Sequence, residues 1–344
     1  MTMPDVIETE AVLDDIMSAP TAQLVEFMSS LKGDVMILGI AGKMGIALGM
    51  AAVRACREAG VDKKIIGVSR FSDPAAREKV EAAGLETISC DLLDRFAVDR
   101  LPRVPNVIYM AGRKFGTAGA EALTWAANAV IPANVGHHFT DSRIVVFSSG
   151  NVYPLTPVTS GGAQETDAVG PIGEYAQSCI GRERVFSYFS QENETPMLLF
   201  RLNYAIDLRY GVLYDIGQSV FNDQSVSVNN GCFNCIWQGD ANIQAILSLG
   251  QCTTPPNILN ITGPETVSVR RVAEMFGTIW DKPVTYSGEE ATSALIGNAK
   301  KAIDLFGYPT VSLERMIRWT AHWIKIGGAA LGKPTHFEVR SGKY

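Results

Sequence analysis

The sequence predicts an α/β protein: a doubly wound parallel sheet with helices on both faces, followed by a smaller C-terminal α/β domain. Three observations carry this. Short apolar runs alternate with helix-length segments over the first 200 residues. A glycine-rich turn, Gly39 to Gly45, stands between the first run and the first helix. Of 344 residues, 47% are hydrophobic and only 19% charged. Strand alternating with helix implies parallel pairing through right-handed crossovers, and a sheet covered on both faces needs apolar strands.

Residues 1–33 read as a helical extension. Val6, Leu13, Ile16 and Met17 share a rough helical stripe, Thr21 suits an N-cap and Gly33 a C-terminal stop. Residues 34–39 form the first strand and 43–59 the first helix. Further strands are expected at 64–69, 86–90, 106–111, 143–148 and 196–201, with helical stretches between them. The first domain spans 34–202. A smaller substrate domain takes 203–228 and 265–330, with helices near 268–280 and 312–326. Residues 229–264, with a strand at 258–261, are expected to return to the first domain, and 331–344 form a tail.

Net charge is −6, and no run of Lys and Arg is long enough for a basic patch, which argues against nucleic acid and anionic membranes as partners. No stretch reaches the roughly 18 apolar residues of a spanning helix. Residues 1–31 hold six acids and no Lys or Arg, the reverse of a secretory or transit signal, so a cytoplasmic location is expected. The six cysteines are spread widely and read as reduced thiols. Cys232 and Cys235 form a lone C-x-x-C, and only His137 and His138 are paired, so no metal site is predicted. Trp237, Trp280, Trp319 and Trp323 read as packing aromatics, and the two adjacent histidines as capping or solvent-facing.

Gly39-Ile-Ala-Gly42-Lys-Met-Gly45 has a strand before it and a helix after it. The first glycine permits a tight turn, the second lets backbone approach a pyrophosphate, and the third lets helix pack on strand. The helix N-terminus adds N–H groups for phosphates, with Lys43 and Met44 between the glycines. A Rossmann-type dinucleotide fold follows. At the end of the second strand, Ser69 and Arg70 stand where a carboxylate would select NAD. Arg matches phosphate oxygens, which favours NADP(H), with Lys43 as a second cation. An Arg stacked on adenine in an NAD enzyme reads the same.

The G-x-x-G-x-x-G spacing resembles the extended short-chain dehydrogenases/reductases, the NAD-dependent epimerase/dehydratase family. Cys90-Asp91-Leu92 looks like that family's adenine-contacting pair, Asp91 and Leu92. Ala111-Gly112-Arg113-Lys114 is similar to its loop beside the phosphates and nicotinamide, and Asn128 to the asparagine of the next helix. Ser148-Ser149-Gly150-Asn151-Val152-Tyr153 resembles its S-S-x-x-V-Y segment. Pro171-Ile-Gly-Glu-Tyr175 resembles the entry to its catalytic helix, and Arg201-Leu-Asn203 the opening of its substrate domain. Asn260-Ile-Thr-Gly263 and Ser268 to Ala273 look like C-terminal landmarks, so the likeness runs from about residue 34 to 325.

The resemblance implies a Ser that holds the substrate oxygen and a Tyr that moves the proton, matched by Ser149 and Tyr175. It also implies a Lys four residues after the Tyr, and here Cys179 stands instead. That position is one helical turn from Tyr175, on the same face. A cation within ~4–6 Å lowers a neighbouring acid by roughly one to three pKa units, so its loss leaves Tyr175 protonated near neutrality. Lys114 is the first candidate to replace that field. Arg182, seven residues on, ranks below it, being about 10 Å along the helix axis at 1.5 Å per residue. Asn151 and Asn203 are expected at the substrate, with Arg209 or Arg201 on an anionic group.

The family's dehydratases carry Asp-Glu where this chain has Gly150 and Asn151. Its sugar-nucleotide members place an Arg before an Asp near a helix start; if Asp240 is that Asp, the position falls close to Phe233. The resemblance thus implies NAD(P)-dependent hydride transfer on a small sugar, sugar acid or polyol, by a homodimer, as epimerase or dehydrogenase. The competing readings are a catalytically impaired cofactor-binding sensor or scaffold, and a sugar-nucleotide epimerase/dehydratase.

Overall fold

The apolar runs assemble into one sheet of seven parallel strands: β1 Val35–Leu38, β2 Ile65–Ser69, β3 Glu86–Ser89, β4 Asn106–Tyr109, β5 Arg143–Ser149, β6 Met197–Leu202 and β7 Asn257–Ile261. The structure is a computed structural model that describes residues 3–342 apart from 115, 118 and 334. In space the order is β3-β2-β1-β4-β5-β6-β7. Strand order reverses between β1 and β4, and the crevice beyond their carboxyl ends is where such sheets take ligands.

Side chains along the inner strands alternate between two cores. Val35 and Ile37 of β1 enter a core with α3 (Gly45–Ala59), α2 (Ala22–Ser30) and α8 (Gln238–Leu247). Met36 and Leu38 enter the other, with Val135 of α5 (Ile131–His138) and Phe186 of α6 (Gly173–Glu192). α4 (Pro74–Ala82) links β2 to β3, opened by an Asp73 N-cap and Pro74. α7 (Val212–Phe221), α9 (Val269–Trp280) and α10 (Leu313–Lys325) build a further core with Trp237 and Trp319, whose rings meet edge-on at 5.3 Å.

The N-terminal segment forms two capped helices, the second opening at Thr21 as the sequence predicts. α1 (Glu10–Met17) has Thr9 as N-cap and α2 has Thr21. Leu13, Ile16 and Met17 are buried as the stripe predicts, but Val6 is 37% exposed and Ile7 is the buried neighbour. α1 joins the core of α7, α9 and α10, whereas α2 joins the sheet core. The expected tail is packed: Phe337 is buried, and its carbonyl accepts from Asn230 Nδ2 at 2.6 Å. His138 is buried with Nε2 2.9 Å from the Leu101 carbonyl, so only His137 of that pair faces solvent. No helix among the described residues is long and apolar enough to cross a membrane.

Candidate functional site

The glycine turn closes tightly on the sheet. Gly39 has φ +92°, and a Cβ there would lie 2.8 Å from the Ala111 amide. A Cβ on Gly45 would run into the Ile40 carbonyl, and one on Gly42 would sit 3.1 Å from the Gly39 oxygen. Only glycine fits the first and third positions. α3 starts after Met44 with no side-chain cap, which leaves its positive end to an outside anion. The turn therefore fits a dinucleotide pyrophosphate.

Gly39, Lys43, Met44, Lys114, Ser149, Asn151, Tyr175 and Asn203 all line one cavity of about 250 Å3. Tyr175 lies beside both Ser149 and Cys179, and Ser149 Oγ donates to Asn151 Oδ1 at 3.2 Å. Burial holds the Tyr175 phenol protonated, well above the ordinary tyrosine value; the Cys179 sulfur adds to this, while Arg182 and Ser149 oppose it. Cys179 is fully buried, and burial also pushes its thiol up, so it is a weak nucleophile.

Two cations lie near Tyr175 and Cys179. Lys114 Nζ stands 5.9 Å from the Tyr175 ring centre, and burial lowers its affinity for a proton. Arg182 is buried beneath, where it donates to the Phe147 carbonyl at 2.8 Å and to Asn128 Oδ1, both neutral acceptors. Arg182 bears directly on the Tyr175 and Cys179 protons. The long arginine side chain spans the axial separation from Tyr175. Gly112 is where it must be: a Cβ there would collide with the Arg182 guanidinium.

No family model matches the sequence, and neither does any curated protein. Solved structures do match. UDP-glucuronic acid 4-epimerase from Bacillus cereus, in complex with NAD, has a TM-score of 0.69 at 16% identity over 85% of this chain and 98% of that one. UDP-glucose 4-epimerase from Thermotoga maritima, with UDP-glucose, gives 0.69 at 17% identity over 85% and 98%. The dTDP-glucose 4,6-dehydratase from Streptomyces venezuelae, with NAD and TYD bound, gives 0.69 at 16% identity over 85% and 97%. The chain has the fold of these epimerases and dehydratases.

Within the epimerase/dehydratase fold the expected residues divide into groups. Ser69 pairs with Ser89 in register, which sets exposed Arg70 beside exposed Asp91 at the carboxyl ends of β2 and β3. Leu92 is 5% exposed and packs in the sheet core, so its side chain is spent on packing. Ala111 and Gly112 follow β4. Asn128 is fully buried on a π-helical turn, Ala126–Val130, a bulge often met at functional sites. Its Oδ1 accepts from Arg113 N and Arg182, and its Nδ2 donates to the Arg113 carbonyl and Ser178 Oγ. It ties the loop after β4 to α6 and does not line the cavity.

Three expectations are corrected. Lys43 does not act beside Arg70: its ammonium sits 2.9 Å from the centre of the Tyr210 ring, inside the cavity. There burial pushes its pKa down to about 7; Lys114 and Lys333 add to this, and Asp207 and Asp215 oppose it. Solvent on the exposed part of that residue works against the shift. Arg209 is neutralised by Asp207, Asp14 and Glu10, and lines a second cavity of about 540 Å3 that meets the first at Tyr210. Arg201 forks onto Glu183 and donates to Tyr153 OH at 2.7 Å. Glu183, Asp14 and Glu10 come from distant segments, which local sequence does not reveal, whereas Asp207 lies only two residues before Arg209.

Tyr204, Tyr210 and Thr335 line the cavity without having been anticipated. Tyr204 has a positive φ of 40° directly after Asn203, and Tyr210 precedes Gly211 with φ +130°. The Asp207 to Gly211 turn composition was the available signal. Thr335 has none, because its place depends on Asp215 far away in the chain.

Proposed function

We propose that this protein is an NAD(P)-dependent oxidoreductase or epimerase that transfers hydride at a hydroxyl or keto carbon of a small sugar, sugar acid or polyol. The observation that carries this reading is that Ser149 and Tyr175 line the same cavity as the Gly39–Gly45 turn. A nicotinamide dinucleotide, when bound, supplies or accepts the hydride. Ser149 orients the substrate oxygen. Tyr175, kept protonated by burial, donates to a carbonyl oxygen as negative charge develops there. Lys114 and Arg182 stabilise the phenolate left behind, and the protonated resting phenol is the form that reduction uses near neutrality.

Nucleotide sugars, which the neighbours' names carry, fit less well. The position where the resemblance expects a diphosphate-binding arginine is occupied by Phe233, 2% exposed and edge-on to Tyr204 at 6.3 Å. For the cofactor, exposed Arg70 and the lack of a carboxylate at Ser69 support NADP(H), although neighbours carry NAD. Fluorescence titration is expected to show tighter binding of NADPH than NADH, and Arg70→Glu is expected to weaken NADPH by about 10-fold. A homodimer is also proposed, through Leu123, Val130 and Tyr188, which are exposed on the paired helices around α5 and α6.

The deciding experiment follows nicotinamide absorbance with a panel of free sugars, sugar acids and polyols. Tyr175→Phe is expected to lose at least about 100-fold in turnover while remaining folded. Unchanged turnover overturns the catalytic reading. Tight cofactor binding with no turnover on any substrate favours a cofactor-binding sensor, the reading that Cys179 motivates.

A further inference from the structure

Arg201 and Arg209 are both spent on carboxylates, but a third guanidinium is not. Arg340 comes from the C-terminal segment. Its NH1 donates to Asn230 Oδ1 and to the Ser293 carbonyl, each at 2.6 Å, and its NH2 donates to Ser293 Oγ at 2.8 Å. All three acceptors are neutral, and no carboxylate among the described residues lies within 4.0 Å. A guanidinium has five N–H donors, so two are left with no acceptor among the described residues. Neutral oxygens fix its direction while leaving its charge for an anion.

Arg340 lines a small pocket of about 30 Å3 with Asn151, Tyr204, Asn230 and Leu295. Asn151 and Tyr204 also line the main cavity, so the two adjoin. Neither is lined by an Asp or Glu, and Lys43 and Lys114 add positive charge to the larger one. At about 10–15 Å3 per water-sized occupant, the small pocket has room for about two such atoms, the oxygens of one carboxylate. The segment is firmly anchored. Thr335 N donates to Asp215 Oδ2 at 2.7 Å, and Gly342 packs so closely on Gly173, at the start of α6, that neither tolerates a Cβ. Arg340 is thereby held between two points of the site wall, one of them at the helix that carries Tyr175.

We propose that Arg340 recognises the anionic end of the substrate, and that the substrate is a free monosaccharide acid. Its carboxylate sits on Arg340 beyond Asn151, with the reacting carbon at Ser149 and Tyr175. The small pocket stops anything larger from continuing past Arg340, which excludes a nucleotide diphosphate on that side. The inference rests on the hydride-transfer reading of the Ser149–Tyr175 site.

The test is calorimetric titration of the full chain saturated with NADH or NADPH, whichever binds. The ligands are D-glucuronate, D-galacturonate and D-gluconate against D-glucose, D-galactose and D-sorbitol, with UDP-glucuronic acid as comparison. At least one free acid is expected to bind roughly 10- to 100-fold tighter than its neutral counterpart. Arg340→Gln is expected to erase that preference, Arg340→Lys to keep part of it, and Ser293→Ala to reduce it, with cofactor affinity unchanged in all three. The proposal is overturned if no acid is preferred, if Arg340→Gln keeps the preference, or if UDP-glucuronic acid binds tighter than the free acid. Failure of both cofactors to bind defeats the hydride-transfer reading instead.

Discussion

A lysine four residues after Tyr175 would set an ammonium beside the phenol. Cys179 stands there, and Lys114 and Arg182 bring positive charge from other backbone positions. The sequence showed both cations and the gap, but not which side chain bends back to fill it. Lys43 carries a pH prediction. With its ammonium near pH 7 among Lys114, Lys333, Asp207, Asp215 and Tyr210, it is charged below that pH and neutral above. A bound anion favours the charged form, so NADH affinity is expected to fall as pH rises from 6 to 8.5. Lys43→Met flattens the slope in part, because Lys114 is lowered as well. A slope unchanged in Lys43→Met contradicts this placement.

Strands and helices were legible within one or two residues at most boundaries, since short apolar runs, caps and glycine stops are local signals. What joins them was not. Glu183 of α6 accepts from Ser148 Oγ at 2.6 Å and takes both prongs of Arg201 from β6, while Tyr153 carries the network on to Asn260 of β7. Glu183 and Arg201 are 5% and 4% exposed at their side chains. Glu183→Gln leaves the guanidinium buried and under-compensated, so a loss of about 3–5 kcal/mol is expected in urea unfolding. Arg201 looked equally suited to a substrate anion in sequence, because its partner is 18 residues away and in another element.

The two N-terminal helices connect the molecule's two main bodies of packing. Leu13 of α1 is buried in the core of α7, α9 and α10, and Leu24 of α2 in the sheet core. Leu13→Ala and Leu24→Ala are each expected to cost about 2–5 kcal/mol. Both are expected to shift a single urea transition, seen alike by far-UV circular dichroism and tryptophan fluorescence; two separated transitions would show that the bodies unfold independently. The sequence by itself determined the sheet, the glycine turn and the Ser149–Tyr175 candidates, because adjacent residues and short periods encode them. Tertiary structure decided which charges remain for a ligand. Arg201, Arg209 and Arg340 are indistinguishable as letters; Glu183 of another element neutralises the first, nearby Asp207 together with distant Asp14 and Glu10 neutralises the second, and the third is left beside the cavity wall.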